Sequence, residues 1–192
     1  MFLLYSGLMI RGNLNFQTFY TSKEESNCPL ITEIIRIGKK IEKHSVLKDV
    51  ESFIVSLRYG RRMIINSNYK EIGRIRRGEI LEIVDYNPVK KILLTIGPVQ
   101  PKTETPLHWM IHHARNEVNA VIQLNGEKII EKLNGKIPST EKEQLPGSFE
   151  SIKEVLKVLR DSKSVLIKNQ GVLFVGENIK DVEEQFFKNI EV

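Results

Sequence analysis

Isoleucines recur near a helical period at Ile31, Ile34, Ile35, Ile37 and Ile41, with Lys39, Lys40 and Lys43 among them. That spacing predicts an amphipathic helix with a solvated basic side. From residue 49 the period shortens to two: Phe53, Val55 and Leu57 alternate with Ile54, Ser56 and Arg58, and Tyr59-Gly60 turns the chain into Met63-Ile64-Ile65. Two strands joined by a tight turn are expected there. ILEIVD at 80–85 and KILLTI at 91–96 read as two more strands about Tyr86-Asn87-Pro88, and Gly97-Pro98 ends the second.

Thr105-Pro106 marks a helix start, with Thr105 as cap and Pro106 at the first helical position, and the helix is expected to run to about Asn116. Residues 120–124 form an apolar run suited to a buried strand, and 127–133 a further helix ended at Asn134-Gly135. Residues 138–145 are polar and irregular. Ser148 caps a helix whose positions Ile152, Val155, Leu156 and Leu159 keep the helical period. Two short strands, 165–168 and 172–175, flank Asn169-Gln170-Gly171, and residues 179–190 close the chain as an amphipathic helix. Strands and helices interleave without internal repeats, which predicts one layered α/β domain.

The ends of this pattern are less regular. MFLLYSGLMI at 1–10 is apolar but lacks a basic lead and a small-residue cleavage site, so an edge strand, a packing arm or a start at Met9 is expected rather than a signal peptide. Residues 13–29 carry no period and read as a linker, which divides the chain into an arm or linker at 1–30 and a domain at 31–192.

Composition changes little in this picture. With 192 residues, 41% hydrophobic and 28% charged, the chain can bury a core without disulfides or metal. Its single Cys28 has no disulfide partner and no His or Asp at a nucleophile spacing, so an inert thiol in the reducing cytoplasm is expected. No apolar run reaches the length of a membrane span. The net charge of +5 is met by an ordinary Lys/Arg surface, so nucleic acid is not an expected partner. Arg58, Arg61, Arg62, Arg74, Arg76 and Arg77 are the densest charge cluster. Guanidinium forks suit phosphate, so an anionic ligand or RNA is the alternative to a solvated surface, although no aromatics are interleaved.

Residues 101–126 concentrate the candidate chemistry: a loop carrying Glu104, a helix, then a strand whose far end presents Gln123 and Asn125 on one face. His108 and His112 are four apart on that helix, a spacing able to hold zinc, but no third ligand is evident; Trp109 beside them reads as core or subunit interface.

In chain order, SLRYG, KTE followed by His108, VNAVIQLNG, LPGS before a helix, and IKNQGVLFVG resemble the class II aldolase and adducin head family over residues 31–192. The resemblance implies a three-layer α/β/α sandwich with a central mixed, largely antiparallel sheet, and a homo-oligomer, tetramer or dimer. Family enzymes cleave or epimerise sugar phosphates with a divalent metal, usually zinc, held by His-x-His and by the histidine of Asn-His-Gly, and with an acid/base glutamate.

Here Glu104 stands at the glutamate position, while the three metal-ligand positions are Gln123, Asn125 and Gln170. Zinc favours imidazole nitrogen and thiolate over neutral amide oxygen, so no zinc or other cofactor is expected. The phosphate-binding turn is altered too: Phe53 and Ile54 replace its glycine and asparagine, and of the paired serines before the glutamate only Thr103 is hydroxylic, with Lys102 beside it. The family's late tyrosine is missing, Tyr86 being the last in the chain. The expected function is a catalytically degenerate, metal-free binding or scaffold module with Glu104 as a vestigial catalytic residue. The alternatives are a lyase or epimerase using Glu104 in a rearranged site, and anion or RNA binding with Arg58, Arg61, Arg62, Lys102 and Thr103 at the anion site.

Overall fold

The computed structural model describes residues 15–43, 50–67 and 72–190. The apolar stretch 1–10 lies outside them. Among the described residues, eight strands form one sheet in the order β1-β5-β4-β3-β2-β6-β8-β7. The strands are β1 (Gln17–Ser22), β2 (Ser52–Tyr59), β3 (Arg62–Asn66), β4 (Ile80–Asn87), β5 (Ile92–Ile96), β6 (Ala120–Asn125), β7 (Ser164–Ile167) and β8 (Gly171–Gly176). All paired neighbours run antiparallel except β1 and β5, which are parallel.

Among the described residues, five α-helices cover the two faces: α1 (Ile31–Glu42), α2 (Thr105–Ala114), α3 (Glu127–Leu133), α4 (Phe149–Leu159) and α5 (Ile179–Ile190). The period-two pattern decides which side chain meets which layer. Phe53, Val55 and Leu57 of β2, with Ala120, Ile122 and Leu124 of β6, pack under α1, α3 and α5. On the opposite face Val121, Leu173 and Val175 meet α2 and α4, while Ile54, Met63 and Ile83 meet Trp109. The result is the expected three-layer α/β/α sandwich.

Ile31, Ile34, Ile37 and Ile41 of α1 are fully buried. Burial of each is worth about 1.5–3 kcal/mol, which outweighs the small helix-propensity deficit of a β-branched residue. Ser148 caps α4 as expected, its side chain accepting from the Ser151 amide at 3.1 Å.

Three local expectations change. Residues 17–22, within the stretch expected to be a linker, form β1, which pairs with β5 at the sheet edge, so the sheet begins before residue 31. Strand β4 continues through Tyr86 and Asn87, and the reversal falls at 88–91, where Lys91 takes φ 54°. Thr105 does not cap α2. Glu104 occupies the cap position without a capping bond, and the Thr105 hydroxyl instead accepts from the Lys102 amide at 3.1 Å, while α2 ends at Ala114.

Candidate functional site

Alternation on β6 turns Val121, Gln123 and Asn125 toward α2, and the antiparallel pairing of β2 with β6 brings Ser56 opposite Val121. Helix α2 crosses above them and lowers His108 and His112, one turn apart, into the sheet. Both rings are buried, as are Ser56 and Gln123.

These groups form one continuous hydrogen-bonded chain. A carbonyl can only accept, so the 3.1 Å contact between His112 Nδ1 and the Val118 oxygen places hydrogen on Nδ1. Ser56 Oγ lies 2.9 Å from His112 Nε2 and 2.8 Å from His108 Nδ1. His108 Nε2 donates to Gln123 Oε1 at 3.1 Å, Gln123 Nε2 to Asn125 Oδ1 at 2.9 Å, and Asn125 Nδ2 to Glu104 Oε1 at 3.2 Å. Only the Asn125 and Glu104 end is partly exposed. Burial pushes His108 down to about 4, against a weaker upward pull from the Gln123 bond. Burial likewise pushes His112 down to about 3; the Val118 bond opposes this, and His108, Arg58 and His113 add to it. Both rings are therefore neutral around pH 7.

Glu104, Gln123 and Asn125 thus converge, and Gln170 takes another partner. It sits in the turn between β7 and β8, where its side chain donates to the Gln144 carbonyl at 2.8 Å and its own carbonyl accepts from the Gly126 amide at 3.3 Å. Beside it lies a cavity of about 450 Å³ lined by Glu51, Glu127, Glu131 and Asn169. Two glycines set the approach of these loops. A Cβ on Gly171 would stand 2.0 Å from the Leu124 carbonyl and 2.6 Å from Asn125 Oδ1. Gly147, at φ +71°, rests on Thr103, where a Cβ would come within 2.4 Å of the Thr103 carbonyl.

The donor set does not fit zinc. Gln123 and Asn125 are engaged with His108, Glu104 and each other, and neutral amides are poor zinc ligands. The His108 and His112 pair offers no substitute, because both rings turn inward onto Ser56. Among the described residues no group of three or more His, Cys, Asp or Glu is arranged to hold a metal ion.

The arginines do not form one site. Arg58, on the α2 face, donates to the carbonyls of His112, Arg115 and Val118, closing the C-terminal end of α2. Arg62 lies on the other face of the sheet and pairs with buried Glu82 at 2.7 Å. Arg61 borders a cavity with Asp85, Tyr86, Trp109 and His113, the last stacked on Trp109 at 4.0 Å between centroids. Arg77 donates to the Ser26 carbonyl at 2.7 Å and Arg74 lies on a short 3-10 turn at 72–74. The Arg76 amide is tied to Glu79 at 2.9 Å. Lys102 and Thr103 sit on the Glu104 loop, where the Lys102 amide donates to the Thr105 hydroxyl and Thr103 lies against Gly147.

Sequence reasoning missed the Ser56–His112 part of this chain. Its only sequence signal is a hydroxyl in place of an apolar residue on the inward face of β2, opposite two helical histidines.

Comparison with solved structures places the fold. The chain matches an L-fuculose 1-phosphate aldolase with a TM-score of 0.69 at 16% identity, over 87% of this chain and 85% of that one. It matches the L-fuculose-1-phosphate aldolase of Thermus thermophilus with a TM-score of 0.62 at 14% identity, over 84% and 89% of the two chains. The N-terminal class II aldolase domain of a conserved protein from Thermoplasma acidophilum matches with a TM-score of 0.59 at 15% identity, over 88% and 93%. No protein-family model matches the chain, and none of the curated proteins matches it in sequence. The chain has the class II aldolase fold. Among the described residues no helix is long and apolar enough to cross a membrane.

Proposed function

We propose that this chain is a catalytically degenerate, metal-independent protein of class II aldolase-like fold that acts in the cytoplasm as a homo-oligomeric binding or scaffold module. One observation carries the reading: Gln123, at a position the resemblance assigns to a metal-binding histidine, has both polar ends engaged, Oε1 by His108 at 3.1 Å and Nε2 by Asn125 at 2.9 Å. In the enzymes this chain resembles, a bound metal polarises the substrate for proton abstraction by the glutamate, and these amides do not supply a site for one. Self-association is supported by the exposed apolar side chains Val89, Leu145 and Phe149, the last two bordering a groove with Tyr86, Met110 and Ile152.

The second reading, a lyase or epimerase on a small sugar phosphate, is supported by the fold and by Glu104 at the start of α2, bonded to Asn125. Turnover of small sugar phosphates, measured with and without added zinc and in the Glu104→Gln variant, separates the two. The scaffold reading predicts no turnover above background in any arm. Turnover that the variant abolishes rejects it in favour of the second reading.

A further inference from the structure

The buried part of the hydrogen-bonded chain is one hydrogen short. With Gln123 Oε1 facing it, His108 carries hydrogen on Nε2, and with the Val118 carbonyl facing it, His112 carries hydrogen on Nδ1. Each neutral ring therefore turns a lone pair toward Ser56: Nδ1 of His108 at 2.8 Å and Nε2 of His112 at 2.9 Å. Ser56 has a single hydroxyl hydrogen for these two acceptors. Its side chain is fully buried, so water does not reach the second contact from bulk. An imidazolium would supply the hydrogen, but burial opposes charge on either ring.

The whole chain has six contacts, from the Val118 carbonyl to the Glu104 carboxylate, with an acceptor at each end. Its five intervening side chains, two neutral rings, one hydroxyl and two amides, bring one hydrogen each to the row. The deficit disappears if the Glu104 end becomes a donor. The Asn125 and Gln123 amides then turn half a revolution about their terminal bonds, Gln123 presents Nε2 to His108, and His108 moves its hydrogen to Nδ1, facing Ser56. Ser56 then donates to His112, and all six contacts are complete with no charge in the core.

We infer that Ser56, His108, Gln123, Asn125 and Glu104 form a polarity-coupled unit in which a hydrogen donor at position 104 sets the tautomer of buried His108. Ser56 and His108 are positioning residues: through their hydrogen bonds they are coupled to the direction in which the two amides are turned. The coupling stands independently of the metal-free scaffold reading, because it concerns the direction of bonds and not turnover.

Two-bond proton–nitrogen correlation on the imidazole rings of the full-length chain at neutral pH tests this. The expected wild-type result is two neutral rings of opposite kind, Nε2–H for His108 and Nδ1–H for His112. In Glu104→Gln the side-chain amide donates to Asn125 Oδ1, so His108 switches to Nδ1–H and the thermal midpoint rises. Adding Asn125→Asp to that variant restores Nε2–H, since a carboxylate at 125 accepts from both neighbours and returns Gln123 to its original direction. A wild-type His108 already in the Nδ1–H form overturns the inference. So does a Glu104→Gln variant that retains Nε2–H.

Discussion

Ser56 Oγ stands 2.8 Å from His108 Nδ1 and 2.9 Å from His112 Nε2, so one hydroxyl on β2 joins two rings a helical turn apart on α2. This contact ties the sheet to the helix that follows Glu104, and the burial of the two rings makes stability depend on pH. Folding holds His108 near 4 and His112 near 3 against an ordinary 6.5. Below about 6.5 the unfolded chain takes up protons that the folded rings refuse, so the folded state loses stability as pH falls toward the folded values. The slope is about 1.4 kcal/mol per histidine per pH unit. Urea midpoints at neutral pH and at about pH 5 are expected to separate clearly in wild type and by less in His112→Gln. Equal separation in the two proteins would contradict the assignment.

Arg58 is predicted to act on stability and not on anion binding. Its guanidinium donates to Val118 at 2.9 Å, to Arg115 at 3.0 Å and to the His112 carbonyl. The Val118 carbonyl is the same one His112 uses. A lysine cannot reproduce that fork. Arg58→Lys is expected to lower stability by about 1–3 kcal/mol in chemical denaturation. Because lysine keeps the positive charge, binding of a polyanion such as heparin is expected to be unchanged from wild type.

A buried carboxylate fastens α5 to α1. Glu183 is 4% exposed and pairs with Arg36 and with Lys40, the latter at 2.6 Å. Burial alone would raise its pKa, but the bonds from Arg36 and Lys40 outweigh that and hold it low. The group therefore adds stability above its unfolded pKa, and the contribution fades as pH falls through the folded value. Removing both cations together strands the carboxylate. The expected cost is about 1–3 kcal/mol, less than for a fully enclosed pair because Arg36 and Lys40 are themselves partly exposed. Glu183→Leu should cost less than the double Arg36→Ala/Lys40→Ala variant in the same denaturation series.

The sheet and helices were legible wherever burial imposes a period. Phe53, Val55 and Leu57 share the α1 face of β2 because successive strand side chains point to opposite faces, and the same alternation puts Gln123 and Asn125 on one side of β6. Strand β1 was not legible: QTFYTS lies at the sheet edge with every other residue exposed, and its partner β5 lies far along the chain. The candidate site was legible in part. Glu104, Gln123 and Asn125 are neighbours in space as well as in the resemblance, whereas Gln170 bonds to Gln144 and the arginines disperse over both faces. Ser56 was invisible as a site residue because its link to His108 is made by strand register and helix crossing, which no spacing in the sequence encodes.

The metal content of the purified, unchelated chain tests the central claim most directly. Amides at positions 123, 125 and 170, two of them bonded to each other, predict zinc far below one ion per chain, unchanged by Gln123→Ala. Zinc near one ion per chain that is lost in Gln123→Ala would contradict it.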